Sequence, residues 1–400
     1  MNILFLAPQP FFQERGTPMA VRLALEVLSM RFRGTKENNI DLLTYHEGTD
    51  VKMPQVNLHR IPKIPFVNSV SPGISLKKII CDIFFLFKAI SLVRKRSDQN
   101  YDVVHAVEES VFIALLIKWI FKIPYIYDMD SSLAMQVTEK WFLLRPLDPV
   151  LSYFEKLAVK NSLAVVPVCD ALAVIADRHG SSDTHILRDI SMLDLTNLPD
   201  QNALRKEVGL KDDDVLILYI GNLEHYQGID LLVESFAKVT DKSKKAHLVI
   251  IGGTEEHVEF YKQKAKNLKI ADQTHLLGPR PVNHLSTYLL SADILVSPRT
   301  KGNNTPMKIY SYLHSGTAIV ATDLPTHTQV MNKEVSVLVP ATVRDYADGL
   351  LSLVEDEGLR KSLGQKAHQL AENEYTFEVF TQRLNDLYDR IGSKILAEAA

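Results

Sequence analysis

A basic, polar segment late in the chain has the residue types of a phosphate-binding site. It reads SPRTKGNNTPMKIYSYLHSG over residues 297–316 and groups Arg299, Lys301 and Lys308 around the start of a predicted helix. The N–H groups of a helix N-terminus and the cationic side chains of arginine and lysine bind phosphate oxygens. The segment therefore indicates an anion site, and the alternative is a set of solvated surface charges.

Glycines follow three predicted strands at points where a ligand can approach the backbone. Gly16 lies in the loop FFQERGTP after the first strand, Gly221 follows VLILYI, and Gly252 and Gly253 follow HLVII. Ligands of open parallel sheets bind beyond the carboxyl ends of the strands, where glycine allows close contact. Each glycine is also compatible with an ordinary turn, and none forms the GxGxxG pattern of a dinucleotide site.

Acidic residues and a histidine follow two further predicted strands. Asp128 and Asp130 end the motif PYIYDMD, and His105 lies near the end of YDVVHA. Two carboxylates at this spacing could bind a metal or act in acid–base catalysis, whereas Asp130 or Ser131 could instead cap the next helix. His105 could face the same crevice, or it could be a hydrogen-bonded residue of the core.

Short apolar runs alternate with helical patterns along both halves of the chain, and these elements must position the polar residues. Strands rich in β-branched residues and separated by helices indicate βαβ units with a parallel sheet. The pattern restarts after the polar stretch 189–214, so the sequence predicts two doubly wound α/β domains in series. Strands are predicted at 2–7, 40–45, 101–106, 124–128, 164–168, 215–220, 247–251, 274–277, 293–297 and 318–321. Helices are predicted at 18–31, 76–96, 110–121, 151–161, 171–179, 228–239, 255–268, 283–291, 307–315 and 377–391.

Composition places the chain among ordinary globular proteins. Its 400 residues are 46% hydrophobic and 23% charged, which allows two or three domains with sizeable cores. The balance of 45 basic and 48 acidic side chains argues against a nucleic-acid partner, and two cysteines without a CxxC pair argue against a disulfide or thiolate–zinc scaffold. Neither a signal peptide nor an apolar run of membrane-spanning length is recognised, so a cytoplasmic protein is expected.

The ordered set of motifs resembles glycosyltransferase family 4, whose members are retaining enzymes of the GT-B fold. The motifs are YDVVHA, PYIYDMD, YIGNLEHYQGIDLLVESF, LVIIGG, LLGPRPVNHLSTYLLSADILVSPR and MKIYSYLHSGTAIVAT, and they span nearly the full length. The resemblance implies two Rossmann-like domains facing across a cleft. Residues 1–190 would bind the acceptor, 200–375 would bind a nucleotide sugar, and the helix 376–400 would cross back to the first domain.

Several positions depart from the family pattern. Asn222 and Gln227 stand where the family has the arginine and lysine that grip the diphosphate, and Asn303 and Ser311 stand where it has two glutamates. Asp130 aligns with the catalytic-region histidine of the family. The cations of residues 297–316 would then supply the positive charge for the diphosphate.

The resemblance implies transfer of a hexose-type sugar from a nucleotide-diphosphate sugar to a glycan or lipid-linked acceptor, without a metal or another cofactor. Asp130 and His105 are the candidate catalytic residues. The alternatives are a weakened GT-B protein that binds a sugar nucleotide or a partner without turnover, and a nucleotide-sugar epimerase. The candidate donor-binding residues are Gly16, Gly221, Asn222, Gln227, Gly252, Gly253, Arg280, Arg299, Lys301, Asn303, Thr305, Lys308 and Ser311.

The predicted helix 76–96 suggests contact with a membrane. Six basic residues and one acidic residue between 74 and 96 give a local charge of +5. The side with Lys77, Phe84, Phe85 and Lys88 is predicted to contact an anionic surface, placing the protein at the inner face of the membrane. The alternative is a core helix with a solvated basic side. The face predicted to pack on the core holds Leu76, Ile79, Ile80, Ile83, Leu86, Phe87, Ile90 and Val93.

Overall fold

A computed structural model divides the chain into two compact units. The first unit contains Met1–Arg188 and Phe380–Ala400, and the second contains Asp189–Val379. The structure describes residues 1–13, 16–34, 38–68, 70, 75–96, 100–140, 146–195, 200 and 202–399. The loop 11–18, the basic segment 74–96 and the polar stretch 189–214 of the sequence analysis each include residues outside these ranges.

The first unit is built on a six-stranded parallel sheet with the order β3-β2-β1-β4-β5-β6. Its central strands are buried on both faces because helices cover both sides, which explains their continuous apolar runs. The strands are β1 Asn2–Leu6, β2 Asn39–Thr44, β3 Val56–Arg60, β4 Val103–Val107, β5 Tyr125–Met129 and β6 Ala164–Pro167. The helices are α1 Gly16–Arg31, α2 Leu76–Lys95, α3 Val111–Phe121, α4 Leu133–Lys140, α5 Asp148–Asn161 and α6 Asp170–Arg178.

The second unit repeats this plan with a six-stranded parallel sheet in the order β12-β11-β10-β7-β8-β9. Its strands are β7 Val215–Ile220, β8 Ala246–Ile251, β9 Thr274–Gly278, β10 Ile294–Ser297, β11 Ala318–Thr322 and β12 Val337–Val339. Its helices are α7 Ala203–Glu207, α8 Ile229–Lys242, α9 Glu255–Asn267, α10 Leu285–Ser291, α11 Lys308–Ser315, α12 Pro325–Thr328, α13 Val343–Glu355 and α14 Glu357–Glu374.

The last helix, α15 Phe377–Ala399, belongs to the first unit from Phe380 onward. Lys394 donates a hydrogen bond to Asp183 at 2.8 Å, and the backbone oxygen of Arg383 lies 3.1 Å from His185 Nε2. Buried side chains of α15, including Leu384, pack into the same unit. The C-terminal segment of the chain therefore completes the fold of its N-terminal segment.

The predicted fold class is confirmed, and the ten predicted strands are all present with small shifts of their ends. Two strands were missed, β3 and β12, which lie at the edges of the two sheets. The β3 segment VNLHR is only partly buried, so it lacks the apolar run that marks a central strand. The prediction also missed α4, α7, α12, α13 and α14.

The predicted orientation of α2 is only partly correct, because Val93 is buried and Phe84 is exposed as predicted, whereas other residues are on the opposite side. Phe85 is fully buried, whereas Ile83 is 51% exposed and Phe87 is 66% exposed. The packed side instead contains two charged residues, because Lys78 pairs with Glu109 at 2.6 Å and Asp82 accepts a hydrogen bond from a buried tyrosine. A helical wheel cannot include these tertiary partners. Among the described helices, none combines the length and apolarity that crossing a bilayer requires.

Candidate functional site

A cavity of about 330 Å³ opens at the carboxyl ends of β7 and β8 in the second unit. Five of the predicted donor-binding residues line it: Gly221, Asn222, Gly252, Gly253 and Arg280. This is the edge of a parallel sheet at which α/β proteins bind ligands. These five predicted residues therefore lie around one cavity.

The paired glycines after β8 are required by the close approach of two turns. A Cβ on Gly252 would lie 2.0 Å from the backbone oxygen of Gly221, and a Cβ on Gly253 would lie 2.6 Å from the Leu223 side chain. Both glycines have positive φ, 118° and 82°, which disfavours other residues. Larger residues here would displace the backbone that forms the cavity wall.

Lys308, the first residue of α11, reaches the wall of this cavity. Its Nζ donates a hydrogen bond to the backbone oxygen of Ile220 at 3.2 Å and lies 3.8 Å from the centre of the Tyr219 ring. Burial and the nearby charge of Arg299 hold the pKa of the Lys308 ammonium well below its usual range. Among the described residues, no carboxylate forms an ion pair with Lys308, so an anionic ligand would stabilise its charged form.

Arg299 lies on the loop that precedes α11 and contacts a neighbouring loop. Its guanidinium is 5.2 Å from the centre of the Tyr226 ring, and its Nη1 donates to the backbone oxygen of Asn304 at 3.0 Å. Burial lowers the pKa of Arg299. Within the described ranges, three buried atoms of these loops lack a hydrogen-bond partner, namely Arg299 Nε, Gln227 Oε1 and Thr305 Oγ1. Buried polar atoms are normally paired, so this arrangement fits a polar ligand.

The remaining predicted donor residues lie in other settings. Lys301 is exposed on the same loop, and the backbone oxygen of Asn303 accepts a hydrogen bond from Gln329 at 2.7 Å. The buried Ser311 hydroxyl accepts a hydrogen bond from Met192 N–H at 3.0 Å. Arg280 forms an ion pair with a glutamate at the cavity edge, and Gly16 opens α1 in the first unit. Their roles in donor binding stay predictions.

His327 is a buried titratable residue near Lys308 and Arg299 that the sequence analysis missed. Its Nδ1 donates to the backbone oxygen of Thr322 at 2.8 Å, so its Nε2 accepts from the Ser297 hydroxyl at 2.8 Å. Burial, together with the charges of Lys308 and Arg299, lowers the pKa of His327 to about 4. Nothing in the spacing of the sequence distinguishes this histidine from a surface histidine.

In the first unit, His105 is enclosed by a network of its own. The Nδ1 atom lies 2.8 Å from the Tyr388 hydroxyl, Nε2 lies 3.2 Å from Asp128 Oδ2, and the ring stacks on Phe5 at 4.3 Å. Because the side chain is only 1% exposed and both nitrogens are engaged, the structure favours the alternative that His105 is a hydrogen-bonded core residue.

Asp130 directly follows β5. The hydroxyl of Ser132 accepts the Met135 N–H at 3.4 Å, so Ser132 contributes to the start of α4. The capping and catalytic alternatives for Asp130 stay predictions. The paired-carboxylate alternative is weakened, because the carboxylate of Asp128 already contacts His105.

A buried charged cluster near the ends of β2 and β4 was also missed. Glu109 pairs with Lys78, and Asp82 accepts a hydrogen bond from the Tyr45 hydroxyl. Burial raises the pKa values of Glu109 and Asp82. Glu108, between β4 and α3, has a φ of 49°, a conformation that non-glycine residues rarely adopt. The only sequence signal was the pair Glu108-Glu109 directly after a predicted strand.

Comparison with known proteins finds a family model that matches most of the second unit. The family model described as Glycosyl transferases group 1 matches residues 200–370. The D-inositol 3-phosphate glycosyltransferase of Kribbella flavida is 26% identical over 183 residues, which are 43% of this chain. The match spans 43% of that relative's own length, so the chain aligns with less than half of it.

Solved structures agree with this chain over nearly its whole length. Sucrose-phosphate synthase from Thermosynechococcus elongatus has a TM-score of 0.77 at 17% identity, covering 98% of this chain and 99% of the other. Anabaena HepE in complex with UDP has a TM-score of 0.73 at 14% identity, covering 97% and 100%. At these identities the likeness establishes the fold. Residues 200–370 therefore match the group 1 glycosyltransferase family model, and the two α/β units have the GT-B fold of these solved structures.

Proposed function

We propose that this protein transfers a hexose-type sugar from a nucleotide-diphosphate sugar to a glycan or lipid-linked acceptor, with retention at the anomeric carbon. The observation that carries the proposal is the contact of Lys308 Nζ with Ile220, a residue that lines the β7–β8 cavity. The Lys308 ammonium is buried, its pKa is lowered, and no carboxylate among the described residues pairs with it. Such a group is suited to bind a diphosphate. The UDP bound by the structural relative HepE supports a nucleotide donor.

The proposed reaction places growing negative charge beside these cations. The bond from the anomeric carbon to the diphosphate oxygen breaks, the acceptor oxygen bonds to that carbon, and the acceptor hydroxyl passes its proton to the leaving diphosphate. The released diphosphate takes the electron pair of the broken bond. Lys308 and Arg299 would stabilise this charge in the transition state, the task that a metal ion performs in other phosphate chemistry. The proposal therefore needs no catalytic metal.

Asp130 is the residue of the first unit that we propose to act near the reacting groups. It follows a parallel strand at the carboxyl edge of the sheet, where ligands of α/β proteins bind. We assign Asp130 to orienting the acceptor hydroxyl or contacting the donor sugar. His105 would support it indirectly, by holding Asp128 at the end of the same strand.

The exposed apolar face of α2 supports an acceptor at an anionic membrane. This face, defined here by Leu76, Ile79, Ile83, Phe84 and Phe87, is 40–73% exposed. Lys77 lies beside it, and Arg94 and Lys95 follow in the last turn, so positive charge flanks apolar surface. Apolar side chains flanked by lysine and arginine insert at the interface of anionic bilayers. The side chains proposed to contact the membrane therefore differ from those predicted from the sequence.

The experiment that tests the function is a panel of nucleotide sugars. Each donor is incubated with the protein, and the release of nucleoside diphosphate is measured with and without glycan or lipid acceptors. Release from one donor, raised by an acceptor, supports transfer. Tight binding without release would favour the weakened GT-B alternative. Conversion of the donor to its epimer without release would favour an epimerase.

A further inference from the structure

Two helices of the second unit bring two histidines and a glutamate together. His314 lies in the last turn of α11, and His368 and Glu372 lie one turn apart on α14. One ligand atom from each lies within 4.8 Å of the others, and His314 Nε2 is 2.7 Å from Glu372 Oε1. In the part of the chain that the structure describes, this is the one group of three such side chains at metal-ligand spacing.

The Nδ1 atoms of His314 and His368 each have a hydrogen-bond partner, and the Nε2 atoms of both rings lie near Glu372. His368 Nδ1 lies 2.7 Å from the backbone oxygen of His314. A carbonyl oxygen can only accept, so Nδ1 of His368 carries the proton and Nε2 presents a lone pair. His314 Nδ1 lies 2.9 Å from the hydroxyl of Ser191, which also accepts from Leu193 N–H at 3.1 Å. Histidines that bind metals are oriented by hydrogen bonds of this kind.

His368 Nε2 lies 3.9 Å from Glu372 Oε1, a separation that is too long for a direct hydrogen bond and that a shared cation can bridge. We propose that His314 Nε2, His368 Nε2 and a Glu372 carboxylate oxygen bind one divalent transition-metal ion. Two imidazoles and one carboxylate are a ligand set that Zn²⁺ accepts, with water as a fourth ligand. A proton shared among the same three groups is the competing occupant.

The site is separate from the donor cavity along the same helix. His314 lies six residues after Lys308, which is about 9 Å along the axis at the α-helical rise. A bound ion would join the end of α11 to α14 and so stabilise the helix that begins with Lys308. The inference does not depend on the proposed transfer reaction, and it assigns the ion no part in that chemistry.

The test uses the full-length protein without a polyhistidine tag, stripped of metal with a chelator and dialysed. Titration calorimetry with ZnCl₂ should show one ion bound per chain, and Zn²⁺ should raise the melting temperature. Co²⁺ at the same site should give visible absorption bands, which are lost when Zn²⁺ displaces it. His368→Gln and Glu372→Gln should each weaken Zn²⁺ binding by about tenfold or more.

The matched control is His275→Gln. His275 stacks on His247 with ring centroids 5.7 Å apart, so this variant removes one member of another histidine pair. Its Zn²⁺ affinity should equal that of the parent protein. Glu372 is half exposed, so Glu372→Gln tests the ligand without opening the core. Absence of Zn²⁺ binding, or equal binding by the parent protein and both ligand variants, would assign the cluster to a shared proton and overturn the proposal.

Discussion

Lys308 and Arg299 are held by aromatic rings and backbone oxygens. Lys308 contacts Tyr219 and the Ile220 oxygen, while Arg299 contacts Tyr226 and the Asn304 oxygen. Both cations are partly desolvated before any ligand binds, so a diphosphate would meet them in surroundings where charge–charge attraction is stronger than in water. This arrangement places positive charge in the second unit although Asn222 and Gln227 are neutral.

Removing either cation should weaken donor binding. Lys308→Met, which keeps the apolar stem, and Arg299→Ala should each reduce the affinity for the accepted nucleoside diphosphate by about 1–3 kcal/mol, the range for charge-assisted hydrogen bonds. Titration calorimetry measures the change. Arg344→Ala, which removes an 89% exposed cation of the same unit, is the control. Unchanged affinity in both site variants, with the fold intact by circular dichroism, would remove these residues from the site.

Asp130 should affect turnover more than donor binding. Asp130→Asn keeps the size of the side chain and removes its charge, so a role with the reacting groups lowers kcat while the donor affinity stays close to that of the parent protein. Steady-state kinetics with the accepted donor separate the two effects. Asp148→Asn changes an exposed carboxylate at the start of α5 and serves as the control. Full activity of Asp130→Asn would show that the charge is dispensable.

At the scale of secondary-structure elements, α2 shows how tertiary partners determine which side of a helix is buried. Cys81, Phe85, Ala89 and Val93 form its buried stripe at a spacing of four residues. The polar residues Lys78 and Asp82 extend the packed side because Lys78 forms an ion pair with Glu109 and Asp82 accepts a hydrogen bond from a buried tyrosine. The larger apolar residues remain on the exposed apolar face of α2.

That face should bind anionic membranes. The protein should sediment with vesicles containing anionic phospholipid and remain free with neutral vesicles, and added salt should reduce binding because each nearby basic residue contributes roughly 1 kcal/mol. The double variant Ile83→Ser with Phe87→Ser should lose binding. Phe260→Ser removes a 59% exposed phenylalanine of the second unit and should not change it. Equal, negligible sedimentation with both vesicle types would leave the acceptor as a soluble molecule.

At the scale of the whole molecule, the two units depend on buried polar networks as well as on apolar cores. The terminal helix α15 contributes Tyr388 to the His105 network of the first unit, across 283 positions of sequence. In the second unit, His327 joins β10 to β11 through Ser297 and Thr322. The His327 network makes the stability of the second unit depend on protonation.

The second unit should lose stability as the pH falls from about 6.5 to about 4. The folded pKa of His327 is lowered to about 4 from 6.5, so the unfolded chain binds the proton first and acid favours unfolding. The neutral histidine contributes its full effect above the unfolded pKa, and the loss reaches about 3 kcal/mol. Urea unfolding at several pH values should show a flatter pH dependence for His327→Gln than for the parent protein. Equal slopes would show that His327 does not titrate in this range.

The sequence predicted the parts of the fold that depend on local pattern. Apolar runs of β-branched residues marked the ten more buried strands, and glycines after β7 and β8 marked the edge at which the cavity opens. The basic segment before α11 identified Lys308, because a lysine at a helix start beside small residues is visible in the sequence itself. These signals come from residues within a few positions of one another, so they can be recognised in the sequence without the structure.

Only the tertiary structure decided which polar residues have partners. His105 became a core residue through Tyr388, and the charged side of α2 was buried through Glu109. In both cases the deciding group is on another element. The free energy of a buried polar side chain depends on whether its hydrogen bonds and charge are satisfied. Such pairing is set by proximity in space, which the spacing of residues along the chain does not specify.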